Sequence, residues 1–161
     1  MVIGAIFAGG IGSRMGSADM PKQYLQLGSK PIIVHTIEKF VVNPGIDRII
    51  VLCPKAWIAH TKDLVKKYLG EVIAEKINVV EGGSTRNGTL ENALKFINEN
   101  FAIDDDSVIV THDAVRPFVT HRIIDENIEA AKKYGACDTV IPATDTIVRS
   151  EDSENVSSIP T

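Results

Sequence analysis

The sequence predicts an α/β protein of three layers, a mostly parallel twisted sheet with helices on both faces, plus a β-hairpin arm near the C-terminus. Three observations predict it. Short β-branched runs alternate with longer stretches of helical period along the chain, the pattern of strands joined by crossover helices. The strand candidates are apolar throughout rather than alternating, as expected when both faces are covered. Glycine, arginine and aspartate clusters fall directly after strands, where ligands sit in such sheets.

Taken in order, "VIGAIF" (2–7) is the first strand and "PIIVHTIEKFVV" (31–42) the first long helix. "RIIVLC" (48–53) follows as a strand, and "AWIAHTKDLVKKYL" (56–69) has helical period. The alternation continues through "INVVEGG" (77–83), "RNGTLENALKFINENF" (86–101), "SVIVTHD" (107–113) and "THRIIDENIEAAKKYG" (120–135). "DTVIPA" (138–143) reads as a further strand. From about residue 143 to 161 the chain becomes two short β-prone runs around a polar, acidic turn, with Ile147, Val148, Val156 and Ile159 as its apolar residues. That is the expected hairpin arm, and the whole of 1–161 reads as one domain.

A chain of 161 residues with 44% hydrophobic and 24% charged residues is ordinary for a globular domain. Its net charge of -4 gives no electrostatic footprint for nucleic acid or for an anionic membrane surface. Phosphate binding must therefore be local. Cys53 and Cys137 lie far apart without metal-ligand or disulfide spacing, and read as two buried thiols of a reducing compartment. Without a signal-peptide pattern or an apolar run approaching ~18 residues, the expected location is cytoplasmic.

The stretch "AIFAGGIGSRMG" (5–16) places glycines, a serine and an arginine behind the first strand. Backbone N–H groups in such a turn can approach an anion because no Cβ intervenes. A P-loop would need lysine followed by serine or threonine after its second glycine, but Ser17 and Ala18 follow Gly16. A dinucleotide fingerprint would need its third glycine where Met15 stands, and an acid at the end of the second strand, where Cys53 and Pro54 stand. What remains is a glycine turn carrying its own cation, Arg14, with Lys22 eight residues on. A guanidinium and an ammonium together can grip a polyphosphate, or both can be solvated surface cations.

Asp113 follows a buried strand in "VIVTHDAVRPF", a common place for an aspartate that holds a nucleotide-bound magnesium ion. It can equally cap the helix near Thr120 or pair with Arg116, which could itself meet a second phosphate. In "EGGSTRNGTLENAL", Gly82 and Gly83 open a turn, Ser84 or Thr85 can cap the next helix, and Arg86 falls in its first turn. A cation there opposes the helix dipole unless an anion is present, and a phosphate would supply one. Trp57 reads as packing on the sheet, and His112 as a hydrogen-bonded structural histidine. His35 and His121 have no partners at metal-ligand spacing.

Together, "AGGIGSRMGSADMPKQYLQLGSKPIIVHTI", "EGGSTRNGTLENAL", "THDAVRPF" and "DTVIPATDTIV" resemble the cytidylyltransferases that act on methylerythritol 4-phosphate and on ribitol 5-phosphate. The resemblance covers the whole chain. "VRPF", "WIAHTKDLVKKYL" and the doubled "DTV…TDTIV" favour the ribitol enzymes, as do "AGG" and "HDAVR" where many isoprenoid enzymes have "AAG" and "HDAAR".

The resemblance implies a Rossmann-like nucleotidyltransferase fold. It also implies transfer of a cytidylyl group from CTP to a sugar-alcohol phosphate, giving a CDP-alcohol and pyrophosphate with Mg²⁺. Phe7, Ala8, Gly9, Gly10 and Gly12 would meet the nucleotide, with Gly82, Gly83, Ser84, Arg86 and Thr89 around it. Arg14 and Lys22 would hold the triphosphate as catalytic residues, Asp113 the metal, and Arg116 and Thr146 the acceptor. The arm would embrace a second copy in a homodimer. Such enzymes continue well past this chain's last residue, adding an arginine, an aspartate and a lysine to the site. The resemblance thus implies that the C-terminal part of the domain lies outside this chain, which is either a piece of a longer protein or short of full activity.

Overall fold

The structure is a computed structural model that describes residues 1–10, 20–144, 146–152 and 154–157. Its first strand, β1 (Val2–Phe7), is buried along almost its whole length, so water is excluded from both of its faces. Two two-residue strands, β2 (Gln26–Leu27) and β3 (Lys30–Pro31), make a small antiparallel ribbon before α1 (Ile32–Val41). Then come β4 (Arg48–Cys53), α2 (Ile58–Leu69), α3 (Glu71–Ala74), β5 (Ile77–Glu81), α4 (Arg86–Asn100), β6 (Val108–Asp113) and α5 (His121–Tyr134).

The four long strands form one sheet in the order β5-β4-β1-β6, with every pairing parallel. The chain moves outward from β1 to β4 to β5, then crosses back to place β6 on β1's other side. That reversal opens a crevice between β1 and β6 at their carboxyl ends, where Phe7 is registered against Asp113.

Side-chain packing separates the two faces. On one, Ile33, Val34, Ile37 and Phe40 of α1, Val65 of α2, and Ile124 and Ile128 of α5 bury against Val2, Ile6, Ile49, Val51 and Val79. On the other, Ala93 and Ile97 of α4 cover Ile3, Ala5, Ile50 and Leu52. Burying each of these large side chains contributes ~1.5–3 kcal/mol. Gly4 makes room for the largest of them: a Cβ there would lie 2.6 Å from Phe40 Cδ1. Trp57 packs as the sequence suggests, stacked on Tyr24 with ring centroids 4.4 Å apart and planes within 13°. The Tyr24 hydroxyl shares a 2.8 Å hydrogen bond with Thr61 Oγ1.

The helix ends follow local chemistry. Thr85 caps α4 by accepting the Gly88 N–H at 2.9 Å, and Thr120 caps α5 by accepting that of Ile123. Gly70 and Gly135, both with positive φ, close α2 and α5.

Two sequence expectations are corrected. The segment "DTVIPA" forms no strand, and Val140 and Ile141 are exposed. The chain there is tied to α5 instead: Asn127 Nδ2 donates to Thr139 Oγ1, and Cys137 Sγ donates to the Asn127 carbonyl. Cys137, Asp138 and Thr139 line a groove of about 1130 Å³ together with residues of β6 and α5. The arm, in its described residues, is a turn closed by one bridge, a hairpin-like return of the chain. Asp152 accepts the backbone N–H groups of Glu154 and Asn155, and the Ser157 N–H reaches the Arg149 carbonyl at 2.7 Å. Ile147, Val148 and Val156 lie exposed, and an uncovered two-stranded ribbon is marginal in water. Ile159 lies outside the described residues. Finally, only Cys53 is buried, where desolvation pushes its thiol pKa up; Cys137 is exposed because the tether to α5 runs over the surface.

Candidate active site at the β1–β6 crevice

The backbone brings two glycine turns to one place. After β1, the Ala8 N–H continues the sheet by donating to the Leu52 carbonyl at 2.7 Å, and the Ala8 carbonyl accepts the buried Nε2–H of Gln23 at 2.6 Å. Gly9 and Gly10 then leave the sheet. After β5, Gly82 donates to the Cys53 carbonyl and Gly83 turns into α4. Both turns face Thr89, which is buried one turn into α4. A methyl group on Gly9 would stand 3.8 Å from Thr89 Oγ1, and one on Gly82 3.4 Å. That hydroxyl accepts the Gly83 N–H at 3.1 Å and donates to the Thr85 carbonyl at 2.9 Å.

Gly83 has no room for a side chain. A Cβ there would lie 2.3 Å from the Gly88 carbonyl carbon and 2.6 Å from the Thr89 nitrogen, both backbone atoms that move only with the helix. Gly83→Ala is therefore expected to cost about 1–3 kcal/mol, read as a lower urea midpoint at unchanged m-value, and to distort the turn. An unchanged midpoint would show that α4 shifts freely.

Arg86 opens α4, where its charge opposes the helix dipole. The compensating anion in this structure is the Asp113 carboxylate: Arg86 Nη1 donates to Asp113 Oδ1, and its guanidinium lies 5.5 Å from the centroid of the Phe7 ring. Arg116 Nε takes the other oxygen, Oδ2, at 2.9 Å. Asp113 is thus an ion-paired aspartate between two exposed arginines. It does not cap α5, because Thr120 does. His112 is structural as expected, its Nε2 bonded to the Arg116 carbonyl at 3.0 Å.

Burial works against the charge on Asp113, but Arg86 and then Arg116 outweigh it and hold the carboxyl below its usual range. A folded pKa below the unfolded one gives stability that is present above the unfolded value, ~3.9, and lost as pH falls through the folded value. The stability difference between wild type and Asp113→Asn should therefore be constant from pH 7 to 5 and shrink below about pH 4. Urea titrations at several pH values check this; a difference independent of pH would remove the ion pairs from the account.

Among the described residues no group of three or more His, Cys, Asp or Glu side chains forms a metal cage. Asp113 fits the other mode, in which magnesium takes one carboxylate and completes its shell with phosphate oxygens and water, if one guanidinium releases its oxygen. The released arginine would then face the same phosphates.

Of the residues singled out from the sequence, the crevice gathers Phe7, Ala8, Gly9, Gly82, Gly83, Arg86, Thr89, Asp113 and Arg116, while Gly10 follows Gly9 exposed, with no neighbour within 4 Å of where its Cβ would stand. Ser84 is exposed at the start of the α4 turn. Lys22 is exposed and begins the 3₁₀ turn Lys22–Tyr24, beside the Gln23 that bonds Ala8. Gly12 and Arg14 lie outside the described residues. Thr146 sits in the exposed C-terminal segment, and no hydrogen bond among the described residues joins it to the crevice. Sequence reasoning passes over Gln23, whose only signal is an uncharged polar residue between Lys22 and the aromatic Tyr24.

The arrangement brings the glycine turn after β1, a helix N-terminus and two cations around one carboxylate to one place, which suits an elongated anion. A model of the IspD family, 2-C-methyl-D-erythritol 4-phosphate cytidylyltransferase, matches residues 2–160. The crystal structure of 4-diphosphocytidyl-2C-methyl-D-erythritol synthase from Anaerococcus prevotii is similar over 99% of this chain at 28% identity and a TM-score of 0.74. The chain spans 63% of that protein's length. A second 4-diphosphocytidyl-2C-methyl-D-erythritol synthase shares the fold at 24% identity and a TM-score of 0.73, with 99% of this chain and 68% of that one covered. So does the bifunctional IspDF of Campylobacter jejuni, at 23% identity and a TM-score of 0.61, over 82% of this chain and 31% of that one. With a family model that matches nearly its full length, the chain belongs to the IspD family of cytidylyltransferases.

Proposed function

We propose that this protein transfers a cytidylyl group from CTP to a sugar-alcohol phosphate. The observation that carries the reading is the convergence of two glycine turns, Arg86 and Asp113 at the β1–β6 crevice. In the reaction an acceptor phosphate oxygen attacks the α-phosphorus of CTP in line, a new P–O bond forms, and the bond to pyrophosphate breaks. Nothing covalent is needed from the protein, so rate comes from positioning and charge neutralisation. Lys22 and Arg14 would hold the triphosphate; Phe7 to Gly10, Gly12, Gly82 to Ser84 and Thr89 would orient the nucleoside. Arg116, with Thr146 from the arm, would meet the acceptor. Magnesium, when bound, neutralises phosphate charge, and Asp113 would hold it.

The acceptor supported first is 2-C-methyl-D-erythritol 4-phosphate, because the matching family and the structure at 28% identity carry that chemistry in their names. D-Ribitol 5-phosphate, favoured by "VRPF" and "DTIV", becomes the second reading. Pyrophosphate release with Mg²⁺, CTP and each acceptor in turn decides between them. Binding of CTP without release for either would make the chain a nucleotide-binding or assembly module. On this reading the enzyme works in the cytoplasm, which cell fractionation tests. The exposed apolar residues of the arm fit a homodimer in which each arm covers the other subunit. Light scattering with and without residues 148–158 tests that; a monomer, or a dimer indifferent to the deletion, would make the arm a plain surface loop.

A further inference from the structure

Gln23 is almost wholly buried, 1% exposed, although its side chain is a polar amide. Its Nε2 donates to the Ala8 carbonyl at 2.6 Å. Its Oε1 is buried with no hydrogen-bond partner among the described residues. A methionine of similar volume would remove that acceptor but leave the buried Ala8 carbonyl without its donor, exchanging one unpaired acceptor for another at about 1–3 kcal/mol each. Stability alone is thus no clear reason for glutamine here.

Its position offers a better one. Ala8 is the last residue held by the sheet before Gly9 and Gly10, and Gln23 stands between exposed Lys22 and buried Tyr24. Tyr24 is fixed independently, by its stack on Trp57 and its bond to Thr61. The chain leaves the sheet after Ala8, and the Gln23–Ala8 bond ties that end directly to the Lys22–Tyr24 turn. Through it, the backbone that would meet the nucleoside and the ammonium that would meet its phosphates share one rigid base.

Resting on the cytidylyl-transfer reading, we propose that Gln23 is a positioning residue of that reaction, its Nε2–H holding the Ala8–Gly10 turn and the Lys22 turn in one register. The test uses Gln23→Met, which keeps the volume and removes the amide with its bond to Ala8, and Gln23→Glu, which keeps the shape but turns a carboxylate toward the Ala8 carbonyl. Thermal melts, calorimetric CTP titrations and steady-state pyrophosphate release are read on the full chain.

For Gln23→Met the expected result is a melting temperature close to wild type, with kcat/KM for CTP down on the order of 10²-fold, as a small misplacement of reacting groups costs. The acceptor KM stays unchanged. Gln23→Glu should lose at least as much, and regain activity relative to wild type as the pH is lowered and the protonated acid again donates to Ala8. If Gln23→Met does not fold, Gln23→Glu gives the same reading. Wild-type kcat and CTP KM in the variants, or losses that only track the unfolded fraction, would overturn the proposal and make Gln23 a structural tie. A wild-type protein that gives no heat with CTP would overturn the functional reading and this one with it.

Discussion

Lys22→Ala should lower turnover on the order of 10²-fold or more, the scale for removing one preorganised charge that stabilises a transition state. The melting temperature should barely change. Lys22 is exposed, and its turn is anchored by its neighbours through the Gln23–Ala8 bond, the Tyr24–Trp57 stack and the Tyr24 N–H bond to the Pro21 carbonyl. Exposed side chains away from such anchors contribute within about 0.5 kcal/mol to folding. The charge itself does chemical work only if a phosphate arrives beside it. Lys22→Arg should not restore full rate, because a planar fork does not replace a compact ammonium at a fixed point. Arg14→Ala, outside the described residues, is expected to behave in the same way. Steady-state rates beside melting curves check both; near-normal rates would remove the two cations from the mechanism.

Asp113→Asn should abolish magnesium-dependent activity, a fall of at least two orders of magnitude on the scale of a lost catalytic charge, while preserving the fold. The amide keeps the volume and one acceptor oxygen but loses the charge that a hard cation needs. It also leaves Arg86 and Arg116 without the carboxylate they share. Both arginines are exposed, so water takes over and the folding cost stays small. Rates measured across a magnesium titration, with a melting curve for each variant, separate the roles. A sharp fall in melting temperature with the magnesium dependence intact would make Asp113 a structural ion pair only.

Much of this molecule is legible in its sequence because the two central strands carry their burial on both faces. "VIGAIF" and "RIIVLC" have too little polar surface to be anything but interior strands, "INVVE" and "VIVTHD" are the partly buried edges of the described sheet, and the glycine and arginine clusters after all four mark the sheet's mouth. The start of α4 is equally plain where Thr85 supplies its cap, whereas α5 takes its cap from Thr120 and not from Asp113. The strand order was not legible, since it depends on which side of β1 the returning chain joins. Nor was the tether of Cys137 and Thr139 to Asn127, a set of side-chain bonds that outcompetes the β propensity of "DTVI".

At the site, spacing revealed the candidates but not their pairings. Arg86 and Asp113 are 27 positions apart, and only the crossover of α4 and the β1–β6 neighbourhood brings them together. The conflict of a cation with the α4 dipole was visible in the sequence; that Asp113 resolves it was not. Gln23 went unnoticed because a lone glutamine carries no pattern, and its meaning comes from burial and one bond to a backbone carbonyl.

The central claim is that cytidylyl transfer occurs at the β1–β6 crevice, and phosphorus NMR of the protein with CTP, Mg²⁺ and 2-C-methyl-D-erythritol 4-phosphate tests it most directly. The account predicts that the β- and γ-phosphorus signals of CTP are replaced by pyrophosphate while a new diphosphate joins the CTP α-phosphorus to the acceptor phosphorus in equal amount, and that Lys22→Ala suppresses both changes. CTP left intact in a saturated complex with either acceptor, CMP as the product, or transfer that proceeds unchanged in Lys22→Ala would contradict it.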